Sequence, residues 1–220
     1  MISVIVPTWN AAHVLPRCFE SLISGVVSGL VRDVIVADGG SSDETLAIAD
    51  AAGARVVSAE CSLGSRMTAG VAAARGEWLL FLSPETALES GWDSEAEAFL
   101  DREMLERPRA ATFRFALDDY GARARRIEFI AKARTNVFGL PYGDQGLLLS
   151  KRFYTRLGGH RLTDMADLDL VRRIGRMRLV ALRARAINKI ADAGTQRRSA
   201  LVALLHALHV PRSLVAFIDG

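Results

Sequence analysis

Short apolar runs alternate with amphipathic segments through the first half of the chain. Four runs rich in β-branched or large apolar residues predict strands: ISVIVP, DVIVAD, ARVVSA and EWLLFL. The first two are typical of strands buried on both faces. Between them lie three segments whose apolar residues recur near helical spacing: AAHVLPRCFESLISGVV, DETLAIADAAG and SRMTAGVAAAR. This alternation predicts an α/β fold with a mostly parallel central sheet covered by helices.

Polar residues mark the expected starts of the first two helices. Asn10 is a good N-cap for the first helix, which then carries Pro16 in its opening turns. Ser42 is the expected cap of the second helix.

The alternation loosens after Pro84. The remaining segments predict an exposed helix, a strand, a basic helix, a glycine-rich turn entering a strand, and a further helix: DSEAEAFLDREML, RAATFRFAL, ARARRIEFIAKARTNVFG, LPYGDQGLLLS and DMADLDLVRRIGRM. A chain of 220 residues, 50% of them hydrophobic, can bury one substantial core. We therefore expect a single domain over residues 1–220.

Three polar loops follow the predicted strands: PTWN, DGGSSD and SPET. Ligands of parallel sheets bind beyond the carboxyl ends of the strands, so we expect these loops to meet at one binding edge. Asp38, at the tip of the second strand, could accept hydrogen bonds from a base N–H or from ribose hydroxyls. The alternative is structural, with Ser42 or Asp43 capping a helix while the glycines make a turn. The dinucleotide fingerprint G-x-G-x-x-G is absent.

The charge pattern indicates an anionic ligand. The formal net charge is only +3, and arginine supplies all the cations except Lys132, Lys151 and Lys189. Arginine favours bidentate contacts to phosphate or carboxylate over diffuse attraction. Nucleic acid is not an expected partner, because acidic residues nearly balance the basic ones.

Cysteine use and hydropathy indicate a reducing compartment. Cys18 and Cys61 lack the spacing of metal ligands or of a disulfide framework. We identify no secretory signal, and no apolar stretch reaches the ~18 residues that cross a bilayer. The expected location is the cytoplasm, or the periphery of the inner face of the membrane.

In order and spacing, five segments resemble family 2 glycosyltransferases of the GT-A fold: ISVIVPTWNAAHVLPRCFESL, DVIVADGGSSDET, GSRMTAGVAAARGEWLLFLSPET, YGDQGLLLSKRFYTRLGG and MADLDLVRRI. The likeness is strongest to a small bacterial subgroup with Asp-Gly-Gly-Ser at the second strand. It implies a Rossmann-like three-layer sandwich and an inverting transfer of sugar from a nucleotide-sugar, UDP-linked by preference, to an acceptor hydroxyl. Residues 1–90 would bind the nucleotide-sugar, and residues 91–220, with C-terminal helices, would face the acceptor.

The resemblance places the nucleotide among loops of the first half. The first loop would line the nucleotide, the second-strand acid would bind uracil or ribose, and a later segment would close over base and diphosphate. The matching positions are Pro7, Thr8, Asn10, Asp38, Gly39, Gly64, Arg66 and Met67. Arg66 would also offset diphosphate charge, the alternative being a solvated helix residue.

SPET stands where the family carries a metal-binding aspartate. Glu85 can still offer a carboxylate oxygen to Mg²⁺ or Mn²⁺, because these cations need few protein ligands when substrate phosphates supply the rest. Its extra methylene moves that oxygen by roughly an ångström, which can cost ~10²-fold in rate. The alternatives are an exposed loop acid, or a metal-free site in which Arg66 stabilises the leaving diphosphate.

MADLDL occupies the position of the family's Glu-Asp pair, whose aspartate is the general base. Asp167 keeps the aspartate, while Ala166 replaces the glutamate. The alternative for Asp167 is an exposed helix acid offset by Arg172 and Arg173.

The resemblance places Asp144 and Gln145, in YGDQG, near the acceptor or the donor sugar. A tight turn is the structural alternative. His160 is a candidate late metal ligand or a loop residue.

The C-terminal segment carries an apolar stripe at Leu201, Leu204, Leu205 and Leu208, flanked by arginines. Such a helix could pack on the body, form a homodimer, or lie on a membrane surface and suit a lipid-linked acceptor. The alternative to an enzyme is a nucleotide-binding pseudoenzyme or scaffold that kept the fold without the metal acid.

Overall fold

An eight-stranded mixed sheet lies at the centre of the protein in the computed structural model, which describes residues 1–102, 108–119, 121–141, 143–162 and 165–189. Its spatial order is β3-β2-β1-β4-β7-β6-β8-β5. The strands are β1 (Ile2–Thr8), β2 (Val31–Asp38), β3 (Arg55–Ser58), β4 (Trp78–Phe81), β5 (Thr86–Leu88), β6 (Ala110–Leu117), β7 (Leu147–Ser150) and β8 (Leu179–Asn188). The helices are α1 (Leu15–Val27), α2 (Thr45–Ala51), α3 (Leu63–Ala73), α4 (Trp92–Arg102), α5 (Ala122–Phe138), α6 (Lys151–Arg156) and α7 (Ala166–Ile174).

The first half of the chain forms the predicted parallel sheet. Strand β1 pairs in parallel with both β2 and β4, and β3 pairs in parallel with the outer side of β2. Helices α1, α2 and α3 connect these strands in turn. The carboxyl ends of β1, β2 and β4 therefore meet at one edge, because parallel strands in register end on the same side of a sheet.

The second half adds antiparallel pairings that the sequence analysis did not predict. Strand β7 is antiparallel to both β4 and β6, and β5 is antiparallel to β8, whereas β6 and β8 are parallel. Strands β5 and β8 and helix α6 were absent from the prediction. Strand β5 has only three residues, and β8 alternates arginine with small apolar residues, which is the pattern of a strand exposed on one face.

The first two helices begin later than their predicted caps. Helix α1 starts at Leu15, with Pro16 in its first turn, and α2 starts at Thr45. Asn10, whose φ is 50°, instead accepts the backbone N–H of Ser42 through its side-chain oxygen at 2.8 Å. The two expected caps thus bind each other, because hydrogen bonds between the loops replace capping bonds within each helix.

The core lies on both faces of the sheet. Successive residues of a strand point to opposite faces, so Val4 and Val6 join one hydrophobic cluster while Ile5 joins the other. Trp92 is fully buried in the first cluster and donates its indole N–H to the Ser21 carbonyl at 2.8 Å. None of the described helices combines the length and the apolar character needed to span a bilayer.

Candidate active site

Asp38 ties the tips of β1 and β2 together. One carboxylate oxygen accepts the Thr8 hydroxyl at 2.9 Å and the Ser41 hydroxyl at 2.5 Å, and the other accepts the backbone N–H groups of Gly40 and Ser41 at 2.9 and 2.8 Å. The residue is only 4% exposed. Burial by itself would raise the pKa of Asp38, but the hydrogen bonds from Ser41, Thr8 and Gly40 hold it below the ordinary value. Asp38 is therefore ionised and its oxygens are engaged by the surrounding loops.

A cleft of about 290 Å³ opens at this carboxyl edge. Among the residues predicted to form a site, those that line it are Pro7, Arg66, Met67, Asp144 and Asp167. They come from β1, α3, the turn before β7, and α7. The cleft therefore joins residues from both halves of the chain.

Arg66 reaches the cleft across a glycine. A β-carbon on Gly39 would lie 3.2 Å from the Arg66 Cδ atom, so the absence of a side chain lets the arginine pass close to the tip of β2. The Arg66 Nε atom is buried and has no hydrogen-bond partner among the described residues. Such a donor is costly to leave unsatisfied, and an anion in the cleft would satisfy it.

Two nearby carboxylates, those of Glu85 and Asp167, act on the carboxyl group of Asp144. Asp144 and Asp167 line the cleft, whereas Glu85 is not among its lining residues. Burial raises the pKa of Asp144 to about 6, and the negative charges of Glu85 and Asp167 add to this rise, while a hydrogen bond with the Ser83 side chain opposes it. Glu85 is exposed, and its backbone N–H lies 3.4 Å from the Ser83 hydroxyl oxygen. Glu85 therefore lies outside the lining of the cleft but close enough to act electrostatically on Asp144.

Asp167 is held by a buried histidine. The His160 Nε2 atom lies 3.1 Å from the Asp167 Oδ1 atom, and the His160 side chain is completely buried. On its other side, the His160 Nδ1 atom lies 3.1 Å from the Tyr154 hydroxyl, which also accepts the His160 backbone N–H at 2.9 Å. If Tyr154 donates its proton to Nδ1, the neutral ring carries its proton on Nε2 and donates it to Asp167.

Asp169, two residues after Asp167, is the helix acid that pairs with arginine. Asp169 accepts the Arg173 guanidinium at 2.7 Å and lies 3.5 Å from Arg161. Asp167 remains directed at the cleft, with its Oδ2 atom 3.0 Å from where a β-carbon on Gly143 would stand.

Several predicted residues lie behind the cleft or outside it. Thr8 is buried against Asp38, Asn10 holds the loop after β2, and Gly64 packs against the Arg161 backbone, where a β-carbon would approach the carbonyl oxygen to 2.3 Å. Like Asp38 and Gly39, these residues are not among those that line the cleft, and they hold the surrounding loops in place.

Gln145 faces away from the cleft. It is 2% exposed, donates its side-chain N–H to the Phe113 carbonyl at 2.9 Å and accepts the Thr135 hydroxyl at 3.1 Å. Its predicted contact with a sugar is not supported by this position, whereas its neighbour Asp144 does line the cleft. Asp144 and Gln145 are adjacent in one turn, but Asp144 faces the cleft and Gln145 faces Phe113 and Thr135. The sequence of the turn does not indicate which of the two faces the cleft.

Several residues that line the cleft were not predicted as site residues from the sequence, among them Trp9, Ser83 and Pro84. Trp9 is 58% exposed at the end of β1, and Ser83 and Pro84 follow β4. An exposed aromatic residue directly after a buried strand was the available signal for Trp9, because a large apolar side chain at a polar strand end has a ligand as a natural partner. Ser83 was noted only as a substitution in a metal motif.

The donor set fits a divalent cation only with help from a ligand. Among the described residues, no group of three or more His, Cys, Asp or Glu side chains is placed to hold a metal ion. Glu85 and Asp144 nevertheless provide carboxylate oxygens in mutual electrostatic contact, which a cation would relieve. Mg²⁺ is commonly bound by one or two carboxylates plus substrate phosphates, and this donor set agrees with that arrangement.

The mixed sheet with its carboxyl-edge cleft is a GT-A fold. It is similar to the crystal structure of glucosyl-3-phosphoglycerate synthase from Mycobacterium tuberculosis in complex with Mn²⁺, uridine diphosphate and glucosyl-3-phosphoglycerate. The TM-score is 0.71 at 20% sequence identity, and the match covers 97% of this chain and 81% of that chain. At this identity the likeness establishes the fold. Residues 3–105 match the model of glycosyl transferase family 2, and this match confirms the resemblance to that family over the first half of the chain.

Curated relatives are similar to a part of the chain. The chain is 37% identical over 95 residues to a PGL/p-HBAD biosynthesis glycosyltransferase of Mycobacterium bovis (strain BCG / Pasteur 1173P2), covering 40% of this chain and 36% of the relative. It is 38% identical over 93 residues to the glucosyl-3-phosphoglycerate synthase of Mycolicibacterium paratuberculosis (strain ATCC BAA-968 / K-10), covering 38% of this chain and 28% of the relative. The chain thus spans about a third of the length of these relatives.

Proposed function

We propose that the protein is an inverting glycosyltransferase that moves a sugar from a nucleotide-sugar, UDP-linked by preference, to an acceptor hydroxyl. The observation that carries this proposal is that Arg66 and Asp167 line the same cleft. Arg66 has a buried N–H group without a hydrogen-bond partner among the described residues, and the Asp167 carboxylate is held by His160. Arg66 can bind a diphosphate, and Asp167 can take a proton from an attacking hydroxyl.

The donor would lie across the tips of β1, β2 and β4. Pro7, Trp9 and Met67 offer apolar surface for the base, and Arg66 offers charge for the diphosphate. Several solved structures of the similar glucosyl-3-phosphoglycerate synthase contain uridine diphosphate or uridine-diphosphate-glucose, which supports a uridine nucleotide as donor. Residues 1–90 would then form the donor half and residues 91–220 the acceptor half.

A divalent cation, Mg²⁺ or Mn²⁺, would be held by Glu85 and Asp144 together with the donor phosphates. When bound, it supplies positive charge that stabilises the departing diphosphate. Solved structures of the similar synthase contain one or the other of these ions. Arg66 contributes from this chain the fixed positive charge that such a leaving group requires.

Asp167 would act as the general base. Its side chain is 33% exposed, which leaves it accessible to an acceptor while His160 fixes its orientation. A carboxylate that deprotonates the acceptor hydroxyl on the face opposite the leaving diphosphate leads to in-line attack and inversion at the anomeric carbon.

The test combines binding with turnover. A screen of nucleotide-sugars for thermal stabilisation in the presence of Mn²⁺ would find the donor, because a ligand that binds only the folded state raises its melting temperature. Asp167→Asn should abolish transfer while UDP affinity, measured by calorimetry, is retained. Full turnover by this variant would remove Asp167 from the mechanism, and a product of retained anomeric configuration would exclude inversion.

The second candidate function is a nucleotide-binding scaffold without catalysis. It is favoured by the lack of a three-residue metal cluster among the described residues and by Ala166 in place of the family glutamate. Calorimetry with UDP separates the two functions. Binding strengthened by Mn²⁺ supports the enzyme, and binding indifferent to Mn²⁺ supports the scaffold.

The acceptor, the assembly and the location are expectations from the sequence. A lipid-linked acceptor, a homodimer through the C-terminal helices and attachment to a membrane all depend on residues 190–220, which lie outside the described part of the chain. Chemical cross-linking of the full chain would test the dimer, and cell fractionation would distinguish the cytoplasm from the inner face of the membrane.

A further inference from the structure

A second cavity, of about 740 Å³, lies between helix α5 and the outer strands β6 and β8. We call it the basic groove and define it by Arg114, Arg183 and Arg185 on the strands and by Arg125 and Lys132 on the helix. The groove shares none of its lining residues with the cleft. The turn Gly143–Gln145 separates them, with Asp144 facing the cleft and Gln145 facing the groove.

The strand wall carries like charges side by side. Arg114 on β6 and Arg185 on β8 are paired in register on neighbouring parallel strands, and both are exposed. Arg183, two residues before Arg185, projects from the same face because side chains of a strand alternate. Like charges directly opposite each other destabilise a sheet. Glu89 lies 2.6 Å from the Arg185 guanidinium, and its pKa is lowered by hydrogen bonds and charge from Arg185 and by the charge of Arg114.

The helix wall adds two further cations. Arg125, Glu128, Phe129 and Lys132 have the spacing that places residues on one face of a helix, and all four line the groove. Among the described residues of this lining, Glu128 is the one acid, and its carboxylate accepts the Leu117 backbone N–H at 2.8 Å. The groove therefore concentrates positive charge on both of its walls.

Within the described residues, four of the five cations have no carboxylate within ion-pair distance: Arg114, Arg125, Lys132 and Arg183. Neighbouring strands lie ~4.8 Å apart, so the guanidinium groups of Arg114 and Arg185 can both approach a single tetrahedral anion. A ligand with several negative charges would remove the mutual repulsion of these side chains.

We propose that the basic groove is a second binding site, specific for a phosphate-bearing ligand and separate from the nucleotide-sugar cleft. Arginine forks match phosphate oxygens in geometry as well as charge. Phe129, 73% exposed, stands in the lining beside these cations. The phosphate can belong to a free phosphorylated molecule or to a lipid headgroup, and both present the same chemistry to the groove.

The experiment compares two double variants of the full chain that remove the same charge. Arg114→Gln with Lys132→Gln takes one cation from each wall of the groove, and Arg75→Gln with Arg152→Gln takes two exposed cations from outside it. Each is tested with inorganic pyrophosphate by calorimetry and with phosphatidylglycerol vesicles by sedimentation. Arg66 stays intact throughout, so any binding of pyrophosphate in the cleft is common to all proteins.

The groove variant should lose about tenfold in affinity for at least one probe, the loss expected for one charge-assisted hydrogen bond, while the control variant keeps wild-type affinity. A loss with pyrophosphate identifies a free phosphorylated ligand, and a loss confined to vesicles identifies a lipid headgroup. Equal behaviour of the two double variants with both probes overturns the proposal. If the groove variant fails to fold, Lys132→Gln alone, an exposed change on a helix, provides the same comparison.

Discussion

The His160 Nε2 atom lies 3.1 Å from the Asp167 Oδ1 atom, and this pair connects the core of the protein to its cleft. The histidine ring packs edge-on against Phe81 at 4.8 Å and is bonded to Tyr154, so its position is set by the core. Asp167 thereby has one oxygen fixed and the other available to a ligand. A general base needs such orientation, because proton transfer depends on hydrogen-bond geometry before it depends on pKa.

Replacing His160 should separate orientation from packing. In His160→Gln the amide nitrogen can take the place of Nε2 and donate to Asp167, whereas in His160→Asn the shorter side chain cannot reach. We expect kcat to fall by ~10- to 100-fold in the asparagine variant, with partial recovery in the glutamine variant and little change in donor KM. Thermal unfolding serves as the control for folding. Equal loss in the two variants would indicate that His160 only fills space.

Arg66 should contribute to phosphate binding through its forked geometry as well as its charge. We expect the affinity for UDP to fall by about tenfold in Arg66→Lys and by about a hundredfold in Arg66→Gln. Uridine, which lacks phosphate, is the matched ligand for calorimetry, and its affinity should stay unchanged. If the affinities for UDP and uridine fall equally, Arg66 acts on the shape of the cleft and does not contact the diphosphate.

Asp144 should make the metal-free protein less stable as the pH rises. Its pKa in the folded protein is about 6, above the ordinary value of 3.8, so the protonated form is favoured by folding. That contribution is complete below the ordinary pKa and is lost as the pH rises through about 6. Between pH ~4 and ~7 in EDTA, the wild type should lose about 2 kcal/mol of unfolding free energy relative to Asp144→Asn. Parallel pH profiles of the two proteins would contradict the raised pKa.

Asp38 should contribute to stability more than to direct recognition of the base. Because its oxygens accept hydrogen bonds from Thr8, Gly40 and Ser41, Asp38→Asn should lower the unfolding free energy by about 1–3 kcal/mol. Its lowered pKa means that this stabilisation is present above the ordinary pKa and is lost as the pH falls through the folded value. Chemical denaturation of this variant beside Asp50→Asn, an exposed change, measures the effect. Weaker UDP binding with unchanged stability would instead show that Asp38 contacts the nucleotide.

The order of elements in the first half was predictable from sequence because it depends on local periodicity. Apolar runs, amphipathic segments and polar strand ends identified β1 to β4, the helices between them and the edge where ligands bind. Arg66 and Asp167 were both named from the resemblance to family 2 glycosyltransferases, and both line the cleft.

The tertiary structure decided which residues meet. His160 pairs with Asp167, and Gly64 contacts Arg161, because the tertiary structure brings these segments together. The conformation of one turn directs Asp144, rather than Gln145, into the cleft. The antiparallel pairings of β7 and β5 and the register of Arg114 with Arg185 likewise join distant segments. Strand order and register are set by burial over the whole sheet, and no local stretch of sequence contains that information.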